Sequence, residues 1–261
     1  MRAPLTSTVL LLTAACAFAS TACKAKQREL SVTDQAAVFY ESRPPLERPV
    51  TRAGSVTGIP NLRSATCGQC HTEIYEEWKA SPHARAFTNP AFQAQLAEAR
   101  ASEQGDLGWQ CVNCHTPAYE QMPQLVAGLN LGEVGRPIYL DNPWYEAHME
   151  EDGVGCATCH VVNGVVHGPW GDSRAPHAVA RSEKLLEDRV CTQCHQAEQT
   201  LPGHTPSCMF DLAATHDAEA VSGQTCQQCH MPEIERPLMD GLPARKTRRH
   251  WFDTRLIPAA K

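Results

Sequence analysis

The sequence has few of the side chains that fill the interior of an ordinary protein of its length. Aromatic residues make up only 6% of the 261 residues, and thirteen cysteines take an unusually large share of the 42% that are hydrophobic. A chain of this length can bury a sizeable core. It is too long for a small disulfide scaffold. The composition therefore indicates that something besides side chains fills the interior.

Long apolar runs are missing after residue 19, since no later stretch approaches the roughly 20 residues of a membrane-spanning helix. The early run extends from Leu5 to Ala19 and follows Arg2, a pattern typical of an export signal. Cleavage after Ala19 or before Cys23 would fit, and the four residues ending at Cys23 resemble a lipoprotein lipid-attachment site. We expect a signal peptide over residues 1–22 and a lipid on Cys23, which places the protein in the periplasm or at the cell surface.

The segment that follows the export signal has no sustained periodicity of apolar residues. Residues 24 to about 61 are polar and carry four prolines, so no regular element is indicated there. We interpret residues 23–63 as a tether that wraps the rest of the chain. Residues 64–261 are the predicted main domain.

Strand-like alternation is scarce in the predicted domain. Helix-forming composition occurs at residues 73–80, 91–101 and 179–190, and only residues 161–166 indicate a short hairpin, around Asn163 and Gly164. The predicted fold class is mainly α with long loops and little β. The acidic side of the first helix fits a face in contact with solvent; its residues are Glu73, Glu76 and Glu77.

Five Cys-x-x-Cys-His segments stand out against this background. They recur at intervals of 35 to 45 residues. Two cysteines three apart on a helical turn can bond the two vinyl groups of one haem, and the next residue directs an imidazole at the iron. The pattern predicts five covalently bound haem c groups. The attachment cysteines are Cys67, Cys70, Cys111, Cys114, Cys156, Cys159, Cys191, Cys194, Cys226 and Cys229, and the iron ligands are His71, His115, His160, His195 and His230.

Zinc and disulfides are the structural alternatives for these cysteines. Zinc sites do not need a histidine directly after every second cysteine. Cys-x-x-Cys pairs are typically redox-active rather than structural disulfides. Haem therefore explains ten of the thirteen cysteines, and Cys16 and Cys23 lie in the signal region. Cys208 is left over, either as a buried small side chain or as a reactive thiol.

Each haem iron has a sixth position, and seven histidines lie outside the attachment segments. That number makes ligation by histidine on both faces feasible for most of the haems. Methionine is the weaker alternative because imidazole is abundant. The histidines are His83, His148, His167, His177, His204, His216 and His250, and His148 is among our candidate ligands.

The run from Cys70 through Trp78 and Ser81 to His83 resembles the C-H…W-x-x-S-x-H pattern of one family of multihaem c-type cytochromes. That family is related to the tetrahaem electron acceptor of ammonia oxidisers and to hydroxylamine oxidoreductase. Four other runs are similar to it, namely residues 111–117, 153–160, 168–177 and 225–232. The resemblance covers about residues 64–252 and implies a compact cytochrome built around stacked haems, here a pentahaem member.

The resemblance also implies distal iron ligands. His83 holds the position of the histidine after W-x-x-S, His177 that of an A-P-H motif and His250 that of an R-x-H-x-F motif. The glycines that usually follow the last motif are absent here.

Five haems in so short a chain must lie close together, which favours an electron carrier between a membrane or periplasmic donor and a periplasmic or surface acceptor. The alternative is a haem enzyme that reduces or oxidises a small nitrogen or sulfur oxyanion at an open axial site. The formal charge is −6, and the propionates of the haems make the loaded protein more acidic. We therefore expect redox partners with basic docking surfaces and no nucleic acid. The basic run Arg245, Lys246, Arg248 and Arg249 is interpreted as a clamp for propionates.

Overall fold

A computed structural model describes the chain over residues 30–44, 47–49, 52–171, 174–195, 197–199, 208–210 and 223–252. Short α-helices joined by loops and 3-10 turns make up most of the regular structure, as the mainly α prediction requires. The helices in these ranges are α1 Val32–Glu41, α2 Ser64–Gly68, α3 Thr72–Ala80, α4 Pro90–Arg100, α5 Gly108–His115, α6 Cys156–His160, α7 Arg189–His195 and α8 Cys226–His230.

Small sheets occur between the helices, and they are more frequent than the sequence indicated. Three are antiparallel pairs: β1 with β2, β6 with β7 and β8 with β9. In the fourth, β3 and β4 form the predicted hairpin and β5 runs parallel to β4. The strands are β1 Gln124–Leu129, β2 Pro137–Asp141, β3 Val161–Val162, β4 Val165–Gly168, β5 Val179–Arg181, β6 Ala197–Gln199, β7 Cys208–Phe210, β8 Glu233–Arg236 and β9 Arg245–Arg248.

Helix α1 lies in the segment for which the sequence indicated no regular structure. Ser31 caps it, because its hydroxyl accepts a hydrogen bond from the Asp34 N–H at 3.2 Å. Ala36 and Tyr40 are fully or almost fully buried in a core cluster with Trp109. The apolar stripe of α1 is too short to stand out in the sequence, and the helix depends on packing against residues far away in the chain.

Residues 52–62 pack against distant parts of the chain. Ala53 and Leu62 are buried in a second core cluster. The buried carboxylate of Glu120 accepts hydrogen bonds from the N–H groups of Ala53 at 3.2 Å and Gly54 at 2.7 Å. These contacts hold the segment against the body of the protein.

The predictions for α3 and α4 are confirmed within one or two residues. Helix α4 begins as its sequence indicates, with Asn89 as the cap and Pro90 in the first turn. The helix predicted at residues 179–190 is wrong. Val179, the first residue of β5, pairs with Val166 of β4. A 3-10 turn follows at Glu183–Leu186, and α7 begins only at Arg189. Pairing with β4 overrides the helix-forming composition.

Within the described ranges, no helix combines the length and apolar character needed to cross a membrane.

Candidate haem-binding cavity

A large cavity of about 3240 Å³ lies between the helices, and its walls are mainly apolar. All ten attachment cysteines and all five attachment histidines line it. Ordinary small-molecule pockets have volumes of about 300–1,000 Å³, so this cavity has room for several such ligands. Its size, its apolar walls and its ring of thiols and imidazoles fit several covalently bound haems.

The attachment segments lie on short helices, as their spacing requires. Four of them end helices α5, α6, α7 and α8, each of which stops at its histidine. In the first segment Cys67 lies in α2 and His71 directly precedes α3. Residues three apart on a helical turn share a face, so both cysteines of a segment can reach one ligand. None of these ten cysteines is in a disulfide.

Three attachment histidines are oriented by backbone carbonyl oxygens. Because a carbonyl oxygen only accepts, the ring nitrogen Nδ1 carries the proton, and Nε2 keeps the lone pair that a metal ion needs. The bonds run from Nδ1 of His71 to Leu238 at 2.8 Å, of His115 to Ala86 at 2.6 Å and of His160 to His167 at 2.8 Å.

Two attachment histidines each face a second histidine at the separation of axial ligands. The ring centres of His83 and His195 are 6.0 Å apart, and those of His160 and His250 are 6.1 Å apart. A ligating imidazole nitrogen lies about 2 Å from its metal ion. The centre of the ring lies about 1 Å beyond that nitrogen, so it is about 3 Å from the ion. Two imidazoles on opposite sides of one ion therefore have ring centres about 6 Å apart.

The environments of these two facing histidines keep them neutral. Burial, with a smaller contribution from His195, lowers the pKa of His83 to about 4. The pKa of His250 is lowered to about 4, mainly because the ring is buried and secondly because His160 lies beside it. The ring of His250 also bonds through Nδ1 to the carbonyl oxygen of Arg248 at 2.9 Å. Neutral imidazole is the form that binds a metal ion.

The structure explains the spacing of Trp78 and His83. The indole N–H of Trp78 donates to the carbonyl oxygen of Val154 at 2.8 Å, and the Val154 N–H donates to the carbonyl oxygen of His83 at 3.0 Å. Val154 lies two residues before Cys156. Gly153 is needed beside it, because its φ is +57° and a Cβ there would lie 2.5 Å from the His83 carbonyl oxygen.

The family model for cytochrome c554 and c-prime matches residues 66–133, which include the first two attachment segments and His83. This match, together with the five attachment segments, supports a multihaem c-type cytochrome with covalently bound haem c. A penta-heme cytochrome c552 from Thermochromatium tepidum is similar in structure, with 17% sequence identity and a TM-score of 0.46 over 75% of this chain and 58% of that chain. No curated protein matches the chain significantly.

Thiol contacts show which attachment segments of the cytochrome adjoin one another. The first and third segments are neighbours, since Cys156 is the largest of the influences on the pKa of the Cys67 thiol, which is lowered. The second and fourth meet through Cys114 and Cys194. The fourth and fifth meet through Cys191 and Cys226. The fourth segment thus adjoins both the second and the fifth.

Hydrogen bonds at helix N-termini join two of these pairs of segments. Asp188 lies at the start of both helices. Its backbone carbonyl oxygen accepts the N–H of Thr192 in α7 at 3.0 Å, and its carboxylate accepts the N–H of Cys226, the first residue of α8, at 2.7 Å. In the same way the Ser64 hydroxyl accepts the N–H of Cys156 at 3.1 Å, while Asp152 accepts the Ser64 N–H. The position of Asp188 just before its segment is a capping signal in the sequence. Its bond to a second helix 38 residues away has no such signal.

The other candidate distal ligands lie in different surroundings. His177 is half-buried and lines the cavity, as does His167, whose carbonyl oxygen orients His160. The side chain of His148 is 68% exposed, and its Nδ1 lies 3.1 Å from a carboxylate oxygen of Glu151. The structure therefore places His148 away from the cavity. Cys23, His204, His216 and the side chain of Cys208 lie outside the described residues.

Two members of the basic run near His250 bond to protein groups, while Arg245, Lys246 and Arg248 line the cavity. Its role as a clamp for propionates stays a prediction. Arg249 donates to Glu77 at 2.6 Å, and Arg248 donates to the carbonyl oxygens of Gln227 and Met231, each at 3.0 Å. The prediction that Glu77 belongs to a face of α3 in contact with solvent is wrong, because its side chain is only 9% exposed. Helical periodicity alone did not separate Glu77 from the exposed Glu73 and Glu76, because its partners are about 160 residues away.

Proposed function

We propose that this cytochrome carries five haems and transfers electrons between a membrane or periplasmic donor and a periplasmic or surface acceptor. The observation that carries the proposal is the convergence of all five attachment segments on one cavity, where cysteines of neighbouring segments lie near one another. Attachment sites this close leave little polypeptide to insulate one site from the next.

The chain's own residues would hold the groups as follows. The ten cysteines would attach them, and His71, His115, His160, His195 and His230 would each supply one nitrogen to an iron. His83 would supply a second nitrogen at the site of His195, and His250 would do so at the site of His160. His177 is a further distal candidate, and the proposal does not include His148. Bound haem supplies one-electron chemistry at its iron, which ligands and burial tune.

Export and partner choice are part of the same proposal. The apolar run at residues 5–19 and Cys23 support export with a lipid anchor, and loss of the anchor in a Cys23→Ser variant would release the protein in soluble form. The formal charge of −6 supports docking to basic partner surfaces. Association with the donor should then weaken with added salt, and association that is insensitive to salt would contradict this part.

A spectroelectrochemical titration with carbon monoxide tests the proposed function. A carrier whose irons have two strong axial ligands should reduce over a broad range, because each added electron raises the cost of adding the next one nearby. The reduced protein should bind little carbon monoxide. Stoichiometric binding of carbon monoxide by the wild-type protein would instead favour a haem enzyme with an open axial site.

A further inference from the structure

Glu77 is a buried carboxylate at the side of α3. Its neighbour Glu73 is 68% exposed, whereas the Glu77 side chain is 9% exposed. A charge in this position is costly unless it is paired and hydrogen-bonded. The residues that hydrogen-bond to Glu77 therefore indicate its role.

Four hydrogen bonds converge on this carboxylate. Arg236 donates to both oxygens, at 2.8 and 2.9 Å, in the two-pronged geometry that guanidinium favours. Arg249 donates at 2.6 Å, and the backbone N–H of His250 donates at 2.9 Å. Burial alone would raise the pKa of Glu77, but these hydrogen bonds outweigh it and the pKa is lowered. Glu77 is thus held as a carboxylate.

All four donors belong to one element, the C-terminal hairpin, defined here as residues 233–250 with strands β8 and β9. Arg236 is 4% exposed and also donates to the Arg248 carbonyl oxygen at 3.0 Å, so it links Glu77 to both strands. At the other end, Arg248 bonds to the carbonyl oxygens at the end of α8. The hairpin is therefore fixed to α8 at its base and to α3 through Glu77.

The C-terminal hairpin reaches two attachment sites other than its own. It carries His250, whose ring lies 6.1 Å from that of His160. It also carries Leu238, whose carbonyl oxygen bonds to Nδ1 of His71 at 2.8 Å. One anchored hairpin thus serves the first and third sites, although its own segment is the fifth.

We propose that Glu77 is a positioning residue that sets the axial ligation of the third site through His250 and the orientation of His71 at the first site through Leu238. The inference rests on the proposed haem ligation. Glu77 bonds to His250 through the backbone N–H, and it acts by holding the hairpin that carries one ligand and the hydrogen-bond partner of the other.

The test uses the fully loaded protein with Glu77→Gln and Glu77→Ala, and Glu76→Gln as the control on the same helix. Glutamine keeps the shape but replaces one acceptor oxygen by an NH₂ group, which cannot accept from Arg236 or His250. Alanine removes all four bonds. With the haem content verified by intact mass, we expect one haem to become high-spin and bind carbon monoxide in Glu77→Ala, partly in Glu77→Gln and not in Glu76→Gln.

A comparison with His250→Ala separates positioning from general destabilisation. The carbon monoxide adduct of Glu77→Ala should match that of His250→Ala, and the double variant should bind no more carbon monoxide than either single variant. Low-spin spectra that do not change in either Glu77 variant would overturn the inference. Failure of the proposed ligation itself is distinguishable, because wild type would then already bind carbon monoxide or His250→Ala would change no haem.

Discussion

At the scale of single residues, the attachment cysteines and histidines could be read from the sequence because their chemistry depends on local spacing. Distal ligands are different, since each comes from another part of the chain. Resemblance to known cytochromes pointed to His83 and His250, but only the structure showed that they face His195 and His160. The carbonyl groups that orient the attachment histidines had no signal in the sequence, because any residue supplies a carbonyl.

The pairing of His83 with His195 predicts a specific spectroscopic change. Replacing His83 with Ala should leave one iron without its second imidazole, so one of the low-spin haems becomes high-spin and binds carbon monoxide. Electron paramagnetic resonance and carbon monoxide difference spectra measure this. The His148→Ala variant is the matched control and should be unchanged, because His148 is exposed and outside the cavity. A His83→Ala spectrum identical to wild type would refute the pairing.

At the scale of elements, local signals predicted α3, α4 and the hairpin of β3 and β4. Each has its own start or turn signal, such as Asn89 before α4 and Asn163-Gly164 in the hairpin. Helix α1, the sheet of β1 and β2, and the C-terminal hairpin were missed. Their residues are stabilised by distant partners such as Trp109 and Glu77. The helix expected at residues 179–190 was wrong for the same reason, since β4 lies beside it.

The cap shared by α7 and α8 gives a prediction at this scale. Asp188→Ala removes the acceptor of the Cys226 N–H and should lower the free energy of unfolding by about 1 kcal/mol, as loss of a helix cap does. Asp188→Asn keeps an acceptor oxygen and should stay close to wild type. Denaturant unfolding of the loaded protein measures both variants. Equal stability of Asp188→Ala and Asp188→Asn would show that the shared cap has no role.

At the scale of the whole molecule, the sequence composition and the cavity give a consistent picture. The chain has few aromatic side chains, and in the part that the structure describes the buried apolar residues form three modest clusters beside a cavity of about 3240 Å³. The interior is therefore organised around what the attachment segments hold. This explains why hydrophobic periodicity, the usual guide to fold, was weak here.

The central claim is that all five segments carry haem in one cavity. Intact mass of the mature protein, combined with a pyridine haemochrome assay, measures the haem content directly. We expect the mass of the processed polypeptide plus five haems, and a haemochrome spectrum typical of two thioether bonds per haem. Four haems or fewer in a fully matured sample would contradict the account, because at least one attachment segment lining the cavity would then hold no haem.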